Sequence, residues 1–426
     1  MNLTLSTHVA TIVGALGCYA IVIVGTLRRI WSNGLSLHNC ARDWALLALG
    51  TLALREIGCP ESTWLLAGMG LHSLLVYNTK RLAAYAGMAR SLFAGLALFA
   101  LVCVLLQAGK GGGYFYRGIP RHTGPFDNPN NFGALLAAAL VVVICFAARE
   151  LGVNLERRGK LASFGPSGLW CVLVLIIGVS LQKTYSRGAW IAFMAGAAGA
   201  VTIGYRQCAA SDEPVLSAAA ASVVQCGRLV MSLICSLVAF AALHFRSADS
   251  LVIQRLLSPF DATDLSWVNR VHAWYGGTKM ALDNPLAGVG WDRVEMMYGA
   301  FYAPADVNGP GAIGTNDYIA LACGLGLPAL LCFLVYMMCA VGASWHAPAA
   351  VHMEPRSEGS RIGMRGVFAG MCHMGDSEVV AAGVNVTLLV AAVFNGILFT
   401  TALGVLMWAS ASLMLDEQAG ARLLRR

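Results

Sequence analysis

Charge is what this sequence has least of. Only 12% of its 426 residues are Asp, Glu, Lys or Arg, against about 25% in an average soluble protein. A soluble fold of this length could not cover its exterior with so few ionisable groups, which excludes a soluble enzyme and a disordered chain. The 13 cysteines lack CxxC spacing, and most lie inside or beside apolar runs, as Cys103, Cys145, Cys171, Cys235 and Cys332 do. That excludes a secreted disulfide scaffold and reads as small apolar packing. No compact carboxylate or histidine cluster offers a metal site, so neither a metal nor another cofactor is expected. Periodic repeats, low-complexity tracts and a soluble domain are missing too.

Long apolar runs fill the space. Hydrophobic residues make up 58% of the chain and the mean hydropathy is +0.66. None of the four charged types occurs in 1–27, 91–109, 128–148, 161–182, 188–205, 229–245, 318–353 or 379–415. A helix needs about 20 apolar residues to cross the hydrocarbon core. The last run is long enough for two short spans hinged near Asn395-Gly396, and weaker spans lie near 43–56 and 63–78. The runs are continuously apolar, which excludes alternating barrel strands. The fold class is therefore all-α: a polytopic membrane bundle of about eleven or twelve helices. The first run has no basic n-region or cleavage site and reads as a retained helix. The expected organisation is a bundle of about eight helices over 1–245, a loop with short helices over 246–315, and about three helices over 316–426. The last part carries a cytoplasmic loop near 344–377.

Lys and Arg in short loops set orientation. The C-terminal Arg422, Arg425 and Arg426, the 356–365 cluster, 149–160, 80–90 and Arg28-Arg29 should be cytoplasmic. Alternation then puts 110–131, 183–187 and the long 246–315 loop outside. Outside segments should be poor in positive charge, yet the two short ones hold Lys110, Arg117, Arg121, Lys183 and Arg187. The long loop adds Arg246, Arg255, Arg270, Lys279 and Arg293, although long loops escape the rule. Positive charge kept against the topological preference points to a bound anion. The net charge of +7 says less: basic cytoplasmic loops bind anionic lipid headgroups, and no nucleic-acid partner is implied.

Two short outer segments stand out. In Lys183-Thr-Tyr-Ser-Arg-Gly-Ala-Trp190, an arginine at the interface can fork onto a phosphate with two charge-assisted hydrogen bonds. The same arginine could instead snorkel beside an aromatic-belt tryptophan. Phe126-Asp-Asn-Pro-Asn-Asn-Phe132 opens another span, and a turn with a helix cap would also explain it. In the long loop, 264–274 predicts a helix capped by Asp264 or Ser266 and ending near Asp283-Asn284-Pro285. Arg270 and Trp274 would then lie one turn apart, as a cation–π pair or a shared wall for a phosphate and a sugar.

These residues carry a resemblance. Ser186-Arg187-Gly188-Ala189-Trp190 resembles the signature of the O-antigen ligase and polysaccharide polymerase superfamily. Pro125-Phe-Asp-Asn-Pro-Asn-Asn131 is similar to its asparagine-rich turn before a span. Arg270-Val-His-Ala-Trp274 and Asp283-Asn-Pro-Leu-Ala-Gly-Val-Gly290 resemble its periplasmic loop. Asn316-Asp-Tyr-Ile319, with Gly324-Leu-Gly326, resembles the start of the next span. The matches run in order from about residue 125 to 328.

The resemblance implies a multi-pass protein of the bacterial inner membrane, a metal-independent glycosyltransferase working at the periplasmic face. Its partners would be a glycan donor on undecaprenyl diphosphate, a lipid A–core or glycan acceptor, and membrane lipids. Arg187 and Arg270 would bind the diphosphate. One departure matters: where the family usually has His before Asn-Asp-Tyr, this chain has Thr315. That His would be the base or orient the acceptor, so Asp317, His272 and His122 become substitutes, each also readable as an ordinary loop residue. Candidate catalytic residues are Arg187, Arg270, Asp317 and His272. Candidate substrate-binding residues are Lys183, Tyr185, Ser186, Arg121, His122, Asn128, Asn131, Trp274 and Asn316. Transfer to lipid A–core is favoured; a polymerase and an O-linked protein glycosyltransferase share the motifs. An anion or lipid transporter would also collect arginines, but it predicts polar residues in the middle of several spans.

Overall fold

The computed structural model describes residues 2–32, 37–77, 82–107, 114–116, 118–158, 165–209, 265–304, 312–346, 377–399 and 401–414. The expected span at 229–245, the loop from 246 to 264 with Asp264, most of the cytoplasmic loop near 344–377 and the C-terminal arginines lie outside them. The described helices are α1 (Asn2–Ser32), α2 (Leu37–Ala53), α3 (Pro60–Tyr77), α4 (Leu82–Gln107), α5 (Pro129–Arg158), α6 (Gly165–Lys183) and α7 (Arg187–Ala209). They continue with α8 (Leu265–Asp283), α9 (Asp317–Leu325), α10 (Leu327–His346), α11 (Ser377–Phe394) and α12 (Ala402–Leu413). A two-stranded antiparallel hairpin, β1 (Phe115–Tyr116) and β2 (Ile119–Pro120), precedes α5.

The protein is an all-α polytopic membrane protein. Four stretches, Val9–Trp31, Ala89–Gln107, Pro129–Glu150 and Ser377–Phe394, are long and apolar enough to cross a bilayer among the described residues; Gly168–Lys183, Leu327–Gly342 and Ala402–Leu413 are shorter. The weakly apolar segments near 43–56 and 63–78 are helical as α2 and α3. The 318–353 run divides at Gly326, whose φ of +95° ends α9 before α10 begins. The last run breaks after Phe394, where the Asn395-Gly396 pair interrupts helical hydrogen bonding between α11 and α12.

Two compact units form. The first takes Met1–Leu82, Ser258–Val341 and Leu388–Leu415; the second takes Ala83–Leu257, Gly342–Thr387 and Asp416–Arg426. In the first, small residues let helices meet closely: Tyr19 lies against Gly50, Trp408 against Gly68 and Cys18 against Gly70. Such contacts suit lipid, where packing rather than water exclusion holds helices together. His72 on α3 is fully buried, and its polar atoms are met by Trp408 O of α12 at 3.1 Å and by the Tyr336 hydroxyl of α10. A carbonyl only accepts, so Nδ1 carries the proton and the other ring nitrogen accepts from Tyr336. In the second unit α5 packs on both α6 and α7. Gly196 of α7 meets Thr387 of α11 so closely that a methyl there would clash.

Candidate functional site

The second unit holds a basic corner where two helices begin. Pro129 occupies the first position of α5, where its missing N–H costs nothing. Asn128 caps that turn: its Oδ1 accepts from Asn130 N at 2.9 Å and its carbonyl from Asn131 N at 3.1 Å. Ser186 caps α7 in the same way, its Oγ accepting from Ala189 N at 3.4 Å. The two caps come together over Gly133, where an added Cβ would fall 2.8 Å from Ala189 Cβ and 3.2 Å from Ser186 Cβ. The positive ends of both helix dipoles therefore converge, an arrangement that attracts anions.

Arg187 stands at the first position of α7 and is only 7% exposed. A cation there opposes the dipole and loses hydration, so the arrangement gains most when an anion binds. Tyr185, two residues before it, has φ of +48°. A non-glycine residue in the left-handed region is held against its steric preference, and such strain concentrates at functional sites. Lys183 is exposed and ends α6. Arg121 Nε donates to Thr184 O at 2.7 Å, and His122 N donates to Lys183 O at 3.1 Å. Burial, helped by the Lys183 charge, holds the His122 imidazole below its ordinary pKa. Gln107, at the end of α4, seats the loop by accepting from Gly124 N at 2.6 Å and Thr123 N at 3.2 Å.

Arg270, His272 and Trp274 belong to the first unit, on α8. The helix ends at Asp283 as the Asp-Asn-Pro stop predicts, but Ser266 lies inside it rather than capping it. Arg270 is 7% exposed. Trp274 packs edge-on against Trp267, with centroids 5.8 Å apart, and against Phe394 at 6.1 Å. His272 is half-buried, and its Nδ1 is shielded from solvent with no hydrogen-bond partner. Further along α8, Gly277 receives Ile313 and Ile319 so tightly that a Cβ would lie 2.5 Å from each. The helix thus packs on the 3₁₀ turn Ala312–Thr315, which carries Thr315, and on α9.

A motif of the long loop, 283–290, and the glycine pair of the next span, 324–326, are spent on one another. Val289 N donates to Cys323 O at 2.7 Å, Gly290 N to Gly324 O at 3.1 Å and Leu327 N to Pro285 O at 2.8 Å. Gly288 (φ +64°) and Gly326 (φ +95°) adopt conformations that glycine tolerates, and a Cβ on Gly326 would strike Leu286 O at 2.5 Å. Asn316 caps α9, accepting from Ile319 N at 3.1 Å. Asp317 is 2% exposed, and its Oδ2 accepts from Ile397 N and Leu398 N, both at 2.8 Å. The acid therefore clasps the non-helical stretch between α11 and α12, whose amides have no helical partner.

Burial pushes the Asp317 carboxyl up to about 7 from its usual 3.8, against the opposing pull of the Ile397, Leu398 and Phe399 amides. A raised folded-state pKa favours the neutral acid, so this stabilisation is complete below pH 3.8 and is lost as pH rises through about 7. Asp317→Asn keeps an acceptor oxygen, whereas Asp317→Ala orphans two amides at a cost of about 1–3 kcal/mol each. Thermal unfolding in detergent should show wild type losing stability as pH rises from 3.8 to about 7 and levelling off above, the Asn variant flat and the Ala variant low throughout. A pH-sensitive Asn variant would remove Asp317 as the cause.

A trio that spacing could not reveal also forms. Glu56, Cys59 and Asp292 bring ligand atoms within 4.8 Å of one another. Burial, with added repulsion from Glu56, Asp292 and Glu61, raises the Cys59 thiol above its ordinary pKa. A thiol held protonated is a poor metal ligand.

Residues 171–334 match the O-antigen ligase family. The match covers less than half of the chain and supports the O-antigen ligase and polymerase superfamily. The segment contains Arg187, Arg270, His272, Thr315, Asn316 and Asp317, while the Arg121–Asn131 stretch lies before it. No curated protein matches the chain. The match supports a glycosyltransferase-like enzyme of a bacterial membrane, with glycan and lipid-linked substrates in general. Sequence reading missed Gly133, Gln107 and Thr184. For Gly133 a signal was present: a glycine at the fifth position of an apolar helix.

Proposed function

We propose that this protein moves a glycan from undecaprenyl diphosphate to a hydroxyl of lipid A–core at the periplasmic face of the inner membrane. The observation that carries the reading is Arg187, a buried guanidinium at the start of α7, where that helix and α5 direct their positive ends toward the same corner. A departing lipid diphosphate develops negative charge, and preorganised donors in a water-poor site stabilise it. Arg187 would fork onto the diphosphate, with Lys183 adding charge. Arg270 would take the matching role that the family resemblance gives it.

The acceptor hydroxyl needs a neighbour to take or polarise its proton. We assign that help to His272, on the helix that packs against the Thr315 turn, with Nδ1 available. Asp317, bonded to two amides of the hinge, serves as a brace. Incubating purified protein with lipid-linked glycan and separate acceptors tests the reading. Product on lipid A–core alone is expected. Elongation of the lipid-linked glycan itself would identify a polymerase, and product on peptide hydroxyls a protein glycosyltransferase.

A further inference from the structure

We infer that Arg121 is a positioning residue: its guanidinium ties the end of α6 to the start of α5 and so holds the strained Tyr185 turn that presents Arg187. The inference rests on the transferase reading only for the activity measurements below.

The last carbonyls of a helix have no partners within it, and the negative end of its dipole attracts a cation. α6 ends at Lys183, and the two carbonyls there are met by consecutive residues of the preceding loop. His122 N donates to Lys183 O at 3.1 Å and Arg121 Nε to Thr184 O at 2.7 Å. The same guanidinium reaches across with Nη2 to Asn130 Oδ1 at 3.0 Å, on the first turn of α5. Only a planar fork can serve two acceptors placed this way; a lysine ammonium is a point donor.

The peptide that Arg121 grips is the one preceding Tyr185. Its carbonyl belongs to Thr184 and its N–H to Tyr185, which donates to Gln182 O at 2.9 Å. Both faces of that peptide are thus fixed, and Tyr185 is forced to φ +48° immediately beyond it. A tyrosine would relax from this conformation toward negative φ if the carbonyl were released. Arg187 follows two residues later, so relaxation would turn the start of α7. Arg121 belongs by charge with the donor-binding arginines, but two of its N–H groups are committed to protein acceptors.

The test is a double-mutant cycle with Tyr185→Gly, since glycine adopts φ +48° without strain. With Tyr185 in place, Arg121→Gln should lower transfer about tenfold to a hundredfold, the effect of one or two charge-assisted hydrogen bonds. Combined with Tyr185→Gly, the same change should cost no more than about threefold, because the turn no longer needs forcing. Arg121→Lys should fall between, and it carries the comparison if the Gln variant fails to insert. Hydrogen exchange of the 180–190 peptide should quicken about tenfold in Arg121→Gln but not in Arg187→Lys. Equal losses with and without Tyr185→Gly would make Arg121 a substrate ligand and overturn the inference. So would unchanged exchange. Should the wild type transfer no glycan, the proposed function fails, and the exchange measurement alone decides the role of Arg121.

Discussion

Arg187→Lys is expected to lower glycan transfer by one to several orders of magnitude, although it preserves the charge. Two charge-assisted hydrogen bonds contribute about 1.5–3 kcal/mol each, and each 1.36 kcal/mol is about tenfold in rate. Lysine keeps at most one bond of the fork, and its ammonium is the more strongly hydrated cation. At a residue 7% exposed, on the positive end of a helix, that hydration is lost without a second bond in return. The measurement is the initial rate with lipid-linked glycan, at matched levels of correctly inserted protein. Unchanged transfer would mean that Arg187 only snorkels at the interface beside Trp190. Because Trp190 Nε1 already donates to Leu181 O at 3.3 Å, its own anchoring survives the substitution, and the variant reports on the arginine.

What was legible in the sequence is what local chemistry dictates. Among the described residues, the charge-free runs are helical because lipid leaves the backbone no other way to satisfy itself. The Asp283-Asn-Pro stop ended α8, and Asn395-Gly396 broke the last run. Asn128 shows where such reading stops: the cap is real, and the cap alone says nothing about its convergence with Ser186 over Gly133. Contacts between residues far apart in the chain leave no periodic trace. Nothing near Asp317 announces that its acceptors' donors sit at Ile397 and Leu398, and nothing near Gly288 announces the backbone of Cys323. Two motifs that carry the family resemblance, 283–290 and 324–326, are paired with one another through glycine backbone. Their small residues are explained by close approach.

The same geometry reorders the candidates for the missing histidine. Thr315 has no basic group near neutral pH, so an acceptor hydroxyl must be deprotonated by another side chain. Asp317 keeps its carboxylate on the hinge amides, and His122 is bound into the basic corner of the second unit, where burial and Lys183 weaken it as a base. Nδ1 has no hydrogen-bond partner in either His122 or His272, but His272 stands on the helix that packs on the Thr315 turn. His272→Gln should therefore lower turnover by about 10²–10⁴, the usual contribution of a general base, and leave donor binding largely intact. Asp317→Asn and His122→Gln should each retain most of the rate. Introducing Thr315→His into the His272→Gln protein should restore part of the loss, since a base supplied from the adjoining turn would serve the same hydroxyl. Wild-type turnover by His272→Gln would end this assignment. If Thr315→His alone then raised the rate strongly, proton removal would belong to position 315, and the present protein would be working with that position weakened.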